Sequence, residues 1–74
     1  MITKAELLER GFSVYFDKYE NIFTYDFDRV YFKLNEQTLY DFDESNGKLT
    51  KLCKVKSMDE ICDLIYYYFK LEVE

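Results

Sequence analysis

The stretch TYDFDRVYFKLNEQTLYDFD, residues 24–43, contains the tetrad Tyr-Asp-Phe-Asp twice, at 25–28 and again at 40–43. Aromatic and acidic residues alternate within the tetrad, and alternation with a period of two is typical of a β-strand with one buried face. The segment Val-Tyr-Phe occurs upstream of each tetrad, at 14–16 and at 30–32. The chain therefore contains two related segments, unless the similarity is a chance result of a composition rich in Tyr, Phe and Asp.

Each related segment is long enough for two short strands and a turn. Residues 14–28 contain the polar pair Glu20 and Asn21 near their middle, and residues 30–43 contain the polar run 35–37. Polar turn-forming residues between two alternating runs are the sequence signal of a hairpin. The pattern predicts two consecutive β-hairpins of related sequence.

The same alternation assigns each side chain of these strands to a face of the sheet. In this interpretation the aromatic residues of both tetrads are buried and their aspartates face solvent. The residues predicted to face the core are Val14, Phe16, Phe23, Tyr25, Phe27, Val30, Phe32, Leu34, Tyr40 and Phe42. The residues predicted on the opposite, open face include Tyr15, Asp17, Asp26, Asp28, Tyr31, Asp41 and Asp43.

Two helices are predicted from their capping residues. A capping box of the form T-x-x-E begins at Thr3, and Gly11 suits the position after a helix end, so a helix is expected over roughly 4–10. A second capping box, S-x-x-E, begins at Ser57 and predicts a helix over roughly 58–70. Its apolar residues recur at spacings of three and four, which predicts one buried stripe. The stripe contains Met58, Ile61, Cys62, Ile65, Tyr68 and Phe69.

A fifth strand is expected over roughly 48–55, after the turn signal Asn46-Gly47. Its alternation is interrupted because Lys51 falls on the same face as the strand's apolar residues, which favours an edge strand. We therefore expect one domain over residues 1–74, a two-layer α+β fold. It consists of an antiparallel β-meander of about four to five strands, flanked by an N-terminal and a C-terminal helix packed on one face.

The composition excludes several chemistries. The chain has 74 residues and no histidine, which rules out Cys–His and Ser–His nucleophile systems. The carboxylates of the tetrads are expected on a flat strand, where no cleft shifts their pKa values for acid–base work. We therefore predict a protein that is not an enzyme and has no cofactor and no metal site. Cys53 and Cys62 are expected to be reduced thiols, and the sequence leaves a disulfide between them open.

The compartment is predicted from absent targeting signals. The chain has no apolar run of roughly 18 residues, and its first residues, MITKAELLERG, lack the apolar region of a signal peptide. The expectation is a cytoplasmic protein without a membrane partner.

The charge of −5 is unevenly distributed along the chain. Residues 17–44 hold eight acidic and three basic residues, whereas residues 48–56 hold four lysines and no acid. Such an acidic field repels phosphate, so no direct contact with nucleic acid is expected. It attracts basic surfaces instead, and tyrosine is a residue type that interfaces favour.

The first functional hypothesis is a non-catalytic protein-binding module with a protein partner that has a basic surface. The predicted partner-binding residues are Tyr15, Asp17, Asp26, Asp28, Tyr31, Asp41 and Asp43. The alternatives are a merely solvated sheet face and a small self-associating structural or assembly subunit. In the last case the interface is a free sheet edge or a second surface on the C-terminal helix, at Tyr66 and Tyr67.

The overall layout, a capped helix followed by an acidic aromatic sheet and a second capped helix, resembles that of small α+β proteins of phages and mobile elements. These include inhibitors of the anti-CRISPR type. Inhibitors of that type occupy the nucleic-acid site of a host protein, and the resemblance implies that this chain is a stoichiometric binding protein. It is a resemblance of layout and assigns no residue a role.

Overall fold

A computed structural model describes residues 1–73 of the chain. Within that range the chain forms a helix, five strands and a second helix, which confirms the predicted α+β layout. The elements are α1 (Lys4–Glu9), β1 (Ser13–Val14), β2 (Ile22–Tyr25), β3 (Val30–Lys33), β4 (Thr38–Asp43), β5 (Lys48–Lys54) and α2 (Met58–Phe69).

Both helices begin at the predicted caps. The Thr3 hydroxyl accepts a hydrogen bond from the Glu6 amide at 3.2 Å, and the Glu6 carboxylate accepts one from the Thr3 amide at 3.0 Å. Ser57 caps α2 through the Glu60 amide at 3.2 Å. These bonds satisfy amides that have no partner inside a helix, so the sequence fixes the helix starts locally.

The sheet is an antiparallel meander with the order β1-β2-β3-β4-β5. β5 is an edge strand, as predicted, and the two-residue β1 forms the opposite edge. One core cluster joins both helices to one face of the sheet, which gives the predicted two layers. Its buried members are Ile2, Leu7, Phe12, Phe23, Val30, Phe32, Leu39, Val55, Met58, Ile61, Ile65 and Phe69.

The faces of β4 are inverted relative to the prediction. Tyr40 and Phe42 are predicted in the core, but the core residue of this strand is Leu39, which is fully buried. The cause is the four-residue turn 34–37, which sets the register so that Leu39 lies opposite Phe32, a core residue of β3. The alternating neighbours of Leu39 therefore lie on the other side of the sheet, here called the outer face.

Tyr40 is nevertheless buried on this outer face, with 8% of its surface exposed. Its hydroxyl donates a hydrogen bond to Glu36 Oε1 at 2.5 Å, and the ammonium of Lys33 lies 4.6 Å from the centre of its ring. The bond to Glu36, followed by burial, raises the pKa of Tyr40. A tyrosine suits this position because its ring is covered while its hydroxyl has a polar partner.

The interrupted alternation of β5 has a second cause besides its edge position. Leu39 lies opposite Cys53, but the next residue, Tyr40, lies opposite Lys51, so a β-bulge leaves Leu52 as the extra residue. The bulge shifts the alternation of side chains, so that Lys51 and Cys53 no longer lie on the same face of the sheet. Lys51 thereby lies on the outer face with Tyr40, while Leu52 packs against the core.

Candidate partner-binding surface

The predicted acidic residues do not form one row on the sheet face. In an antiparallel meander the β2–β3 turn (26–29) and the β4–β5 turn (44–47) lie at the same end of the sheet. The acidic residues gather at this end rather than on the face. We call this group the acidic end; its members are Asp26, Asp28, Asp41, Asp43 and Glu44.

Two of these residues occupy the opposite side of the sheet from the one predicted. Asp41 lies opposite Val30, a core residue, and is therefore on the helix side, and alternation places Asp43 on the same side. The Asp43 carboxylate accepts hydrogen bonds from the Ser45 hydroxyl at 2.6 Å and the Ser45 amide at 2.9 Å. These two bonds lower the pKa of Asp43, so its carboxylate also has a structural role in the β4–β5 turn.

Asp17 lies away from the acidic end, in the loop between β1 and β2. Its carboxylate accepts hydrogen bonds from the backbone amides of Asn21 at 2.9 Å, Tyr19 at 3.2 Å and Ile22 at 3.2 Å. The amides of Asn21 and Tyr19 hold the pKa of Asp17 below its usual value, against a smaller opposing effect of burial. The residue orders this loop, and its oxygens are occupied by the chain's own backbone.

Tyr15, Tyr31 and Asp28 do come together, on the outer face. The rings of Tyr15 and Tyr31 meet edge to face with centroids 5.4 Å apart, and Tyr31 is only 6% exposed. Burial raises the pKa of Tyr31, and the nearby Asp28 carboxylate and Tyr15 hydroxyl raise it further. Of the predicted partner-binding tyrosines, Tyr15 is therefore the accessible one, at 40% exposed.

The first tetrad is not a strand beyond Tyr25, and this is the main departure from the sequence prediction. Asp26, Phe27 and Asp28 have φ values of 58°, 55° and 63°, so three consecutive residues adopt the left-handed conformation. The side chain of Phe27 is predicted in the core but is fully exposed, at 101%. The turn thus presents an aromatic ring between two carboxylates.

This turn differs from the other two four-residue turns of the sheet. The turns at 34–37 and 44–47 also have four residues, but each places only its last residue in the left-handed region, Gln37 at φ 53° and Gly47 at φ 69°. A left-handed backbone is unfavourable for a bulky residue such as Phe27, and such strain concentrates at functional positions. Because no glycine marks the β2–β3 turn, the sequence pattern does not reveal it.

The charge of the acidic end is only partly compensated. Besides its five acidic residues, this end of the sheet holds two basic residues, Arg29 and Lys48. The guanidinium of Arg29 lies 5.8 Å from the centre of the Phe69 ring, at the end of α2. Within residues 1–73, neither Asp26 nor Asp28 takes part in an ion pair. The carboxylates beside Phe27 therefore remain available to a cationic group from outside the chain.

A second exposed phenylalanine, Phe16, was also missed, because it is predicted in the core and is 103% exposed. β1 ends at Val14, two residues before Phe16, so the alternation of the strand no longer applies there. The local sequence carries no signal for this exposure, because the length of β1 is set by its pairing with β2.

Tyr66 and Tyr67, the predicted second interface, are exposed on α2 at 54% and 68%. The ammonium of Lys70 lies 5.9 Å and 5.8 Å from the centres of their rings. Tyr68 is predicted in the buried stripe, but it is 44% exposed and packs edge to face on Tyr67 with centroids 5.1 Å apart. The three tyrosines form a separate aromatic patch.

Both cysteines are free thiols in the structure and are half-buried. Burial raises the pKa of Cys53 and of Cys62, the latter against the opposing effect of the Arg10 guanidinium, whose Nη1 lies 3.5 Å from the sulfur. Among residues 1–73, no three metal-ligating side chains lie together, and no helix has the length and apolar character needed to cross a bilayer.

Comparison with known protein families, with curated proteins and with solved structures finds no match to this chain.

The strain at Phe27 gives a testable prediction on stability. Replacing Phe27 with Gly should stabilise the fold by roughly 0.5–1 kcal/mol, because relief of about 1–2 kcal/mol of left-handed strain exceeds the entropy cost of glycine. Replacing it with Ala should leave the free energy of unfolding nearly unchanged, because alanine retains a Cβ atom and the Phe27 ring buries nothing. Urea unfolding of the three proteins measures the difference. Equal stabilities of the Gly and Ala variants would contradict it.

The Asp17 hydrogen bonds predict a dependence of stability on pH. Because the folded-state pKa of Asp17 lies below its unfolded value of about 3.9, the charged carboxylate stabilises the fold above that value. This contribution is lost as the pH falls through the folded-state pKa. We expect Asp17→Asn to be less stable than wild type at neutral pH, with the gap narrowing below about pH 4.

Urea unfolding between neutral and acidic pH measures this gap. Asp63→Asn removes the same charge from an exposed position on α2 and serves as the control. A gap for Asp17→Asn that stays constant to the lowest pH would contradict the role of its carboxylate in the loop.

Proposed function

We propose that the chain is a non-catalytic protein-binding module whose acidic end engages a basic, nucleic-acid-binding surface of a partner protein. The observation that carries this proposal is Phe27, a fully exposed ring between the carboxylates of Asp26 and Asp28, on three consecutive left-handed residues. The cellular role we propose is that of a cytoplasmic inhibitor from a phage or mobile element, which competes with nucleic acid as its mimic.

The exposure of Phe27 supports a role for its ring in contact with a partner protein. Burying a phenylalanine stabilises a fold by about 1.5–3 kcal/mol, and this ring contributes none of that. Its left-handed backbone adds a cost of about 1–2 kcal/mol. A ring that stabilises nothing in the chain itself is suited to fill a pocket on a partner, as aromatic anchors do at the centres of interfaces.

The charge of the acidic end supports a basic partner. Five acids against two bases at one end of the sheet create a negative local field within a chain of charge −5. At physiological salt such a field acts over about 8 Å and accelerates encounter with a positive surface. A surface that normally binds phosphates carries this complementary charge, which supports competition with nucleic acid.

The test begins with the immobilised chain in a lysate of the cells in which it naturally acts. Captured proteins are identified by mass spectrometry at low and at high salt, and the affinity of a purified partner is then measured. We expect a nucleic-acid-binding protein, released by salt and competing with an oligonucleotide. Asp26→Lys with Asp28→Lys should weaken its binding by about 100-fold, and Phe27→Ala by about 30-fold.

The matched control is Glu9→Lys with Asp63→Lys, which makes the same change of charge at exposed positions on the two helices. It should bind nearly as well as wild type. If the Asp26 and Asp28 reversal and Phe27→Ala both bind within twofold of wild type, the acidic end is only a solvated surface.

A structural or assembly subunit is the second candidate function, and the exposed patch of Tyr66, Tyr67 and Tyr68 favours it. In that case the chain forms a dimer or larger species, and Tyr66→Ser with Tyr67→Ser dissociates it. Sedimentation at high protein concentration decides the point, because a strict monomer removes this candidate.

A further inference from the structure

An open groove is lined by the edge strand β1 and by the end of β2 with its turn, next to the acidic end. Its volume is about 570 Å³. One wall comes from β1 and the residues that follow it, up to Phe16, and the other from the end of β2 and its turn, residues 24–28. The groove therefore contains both fully exposed phenylalanines, Phe16 and Phe27.

The backbone of β1 is arranged to accept another strand. The Tyr15 amide donates to the Ile22 carbonyl at 2.8 Å, so the pair Tyr15 and Ile22 is a hydrogen-bonded one. Hydrogen-bonded and non-hydrogen-bonded pairs alternate, and Val14 with Phe23 is therefore of the second kind. The amide and carbonyl of Val14 point away from β2, toward the side where no strand lies within residues 1–73.

The side chains around this edge select the chemistry of the occupant. Phe16 and Phe27 offer exposed rings, and Asp26 and Asp28 line the same groove with negative charge. An extended segment that pairs with β1 presents alternate side chains to the two faces of the sheet. Apolar side chains of that segment can contact the rings while its cationic ones approach the carboxylates.

We propose that an extended, basic segment of the partner protein adds to the free edge of β1 as a further strand and places its side chains in this groove. The proposal rests on the proposed function and specifies how the partner is held. A second copy of this chain is a poorer occupant, because it brings a charge of −5 and the same carboxylates to the groove.

The probe is a synthetic peptide of alternating valine and lysine, titrated into the ¹⁵N-labelled protein. We expect saturable binding with amide shifts at residues 13–16 and 26–28. A peptide with N-methyl groups along the edge that faces β1 should bind about tenfold more weakly, because it loses backbone donors. A control peptide of alternating valine and glutamate should not bind. Absence of saturable binding by the lysine peptide, or equal binding of its N-methylated form, overturns the proposal.

Variants of the protein give a second readout. Val14→Pro removes the backbone amide that points away from β2. This change should weaken binding of the lysine peptide by about tenfold. Phe16→Ser should also weaken it, whereas Tyr67→Ser changes an exposed ring outside the groove and should not. Thermal unfolding checks that each variant is folded, and the N-methylated peptide provides the same test on the unaltered protein should Val14→Pro fail to fold.

The two proposals fail in different ways. If the purified natural partner depends on Asp26, Asp28 and Phe27 but binds Val14→Pro as it binds wild type, strand addition is wrong and the proposed function stands. If the lysine peptide binds along β1 but no basic partner depends on the acidic end, the proposed function is wrong. Concentration-dependent dimerisation through residues 13–16, with no peptide binding, assigns the edge to a second copy and overturns this inference.

Discussion

Replacing Phe32 with Ala should destabilise the fold by about 3–5 kcal/mol. Phe32 is fully buried in the centre of the sheet, where it lies between Phe23 of β2 and Leu39 of β4. Removing its ring leaves a cavity that these neighbours can fill only in part. Because a protein of this length is stable by roughly 4–11 kcal/mol, the loss approaches the whole stability of the chain.

Phe27→Ala is the matched control for this change, since it removes the same atoms from a fully exposed position. It should alter the free energy of unfolding by less than about 0.5 kcal/mol. Urea unfolding followed by circular dichroism measures both variants. Similar losses for the two would mean that Phe27 packs in solution and that its assignment to an exposed turn is wrong.

The second large effect is expected at Gln37, whose side chain connects the N-terminal segment at Ile2 to the turn between β3 and β4. Its Oε1 accepts a hydrogen bond from the Ile2 amide at 2.7 Å, and its Nε2 donates to the carbonyls of Ile2 at 3.0 Å and Leu34 at 2.8 Å. Its own carbonyl accepts from the Val55 amide at 2.8 Å. Gln37→Ala removes the three side-chain bonds and leaves partly buried backbone groups of Ile2 without partners.

The expected loss for Gln37→Ala is about 3 kcal/mol, at about 1 kcal/mol for each bond. Urea unfolding measures it, and amide hydrogen exchange should show faster exchange at Ile2. Asn35→Ala is the control, because it removes a carboxamide from an exposed position in the same turn. If both variants lose less than about 0.5 kcal/mol, the Gln37 side chain does not hold these segments together.

The difference between the two tetrads shows where sequence reasoning stops. Both copies read Tyr-Asp-Phe-Asp, yet 40–43 is part of a strand and 26–28 is a left-handed turn. The alternation of residues predicts which face each side chain of a strand occupies, but it does not predict the residue at which the strand ends. Pairing with β3 ends β2 at Tyr25, which lies opposite Val30, and the remaining residues of the first tetrad must then form the turn.

The candidate surface was therefore predicted in composition but not in geometry. The sequence identifies an acidic, aromatic surface, because charge and residue type can be counted without coordinates. Which side each residue occupies depends on the pairing of strands that are distant in sequence. A four-residue turn places Leu39 rather than Tyr40 in the core, and this choice also moves Asp41 and Asp43 to the helix side.

The sequence alone determined the two helices, the turns at 34–37 and 44–47 and the edge position of β5. Capping boxes, turn residues and periodicity are interactions between near neighbours, so their energetics can be inferred from residues a few positions apart. Only the tertiary structure decided the face of each β4 side chain, the bulge in β5 and the exposure of Phe16 and Phe27. These features depend on register, and a shift of one residue in register exchanges the two faces of a strand.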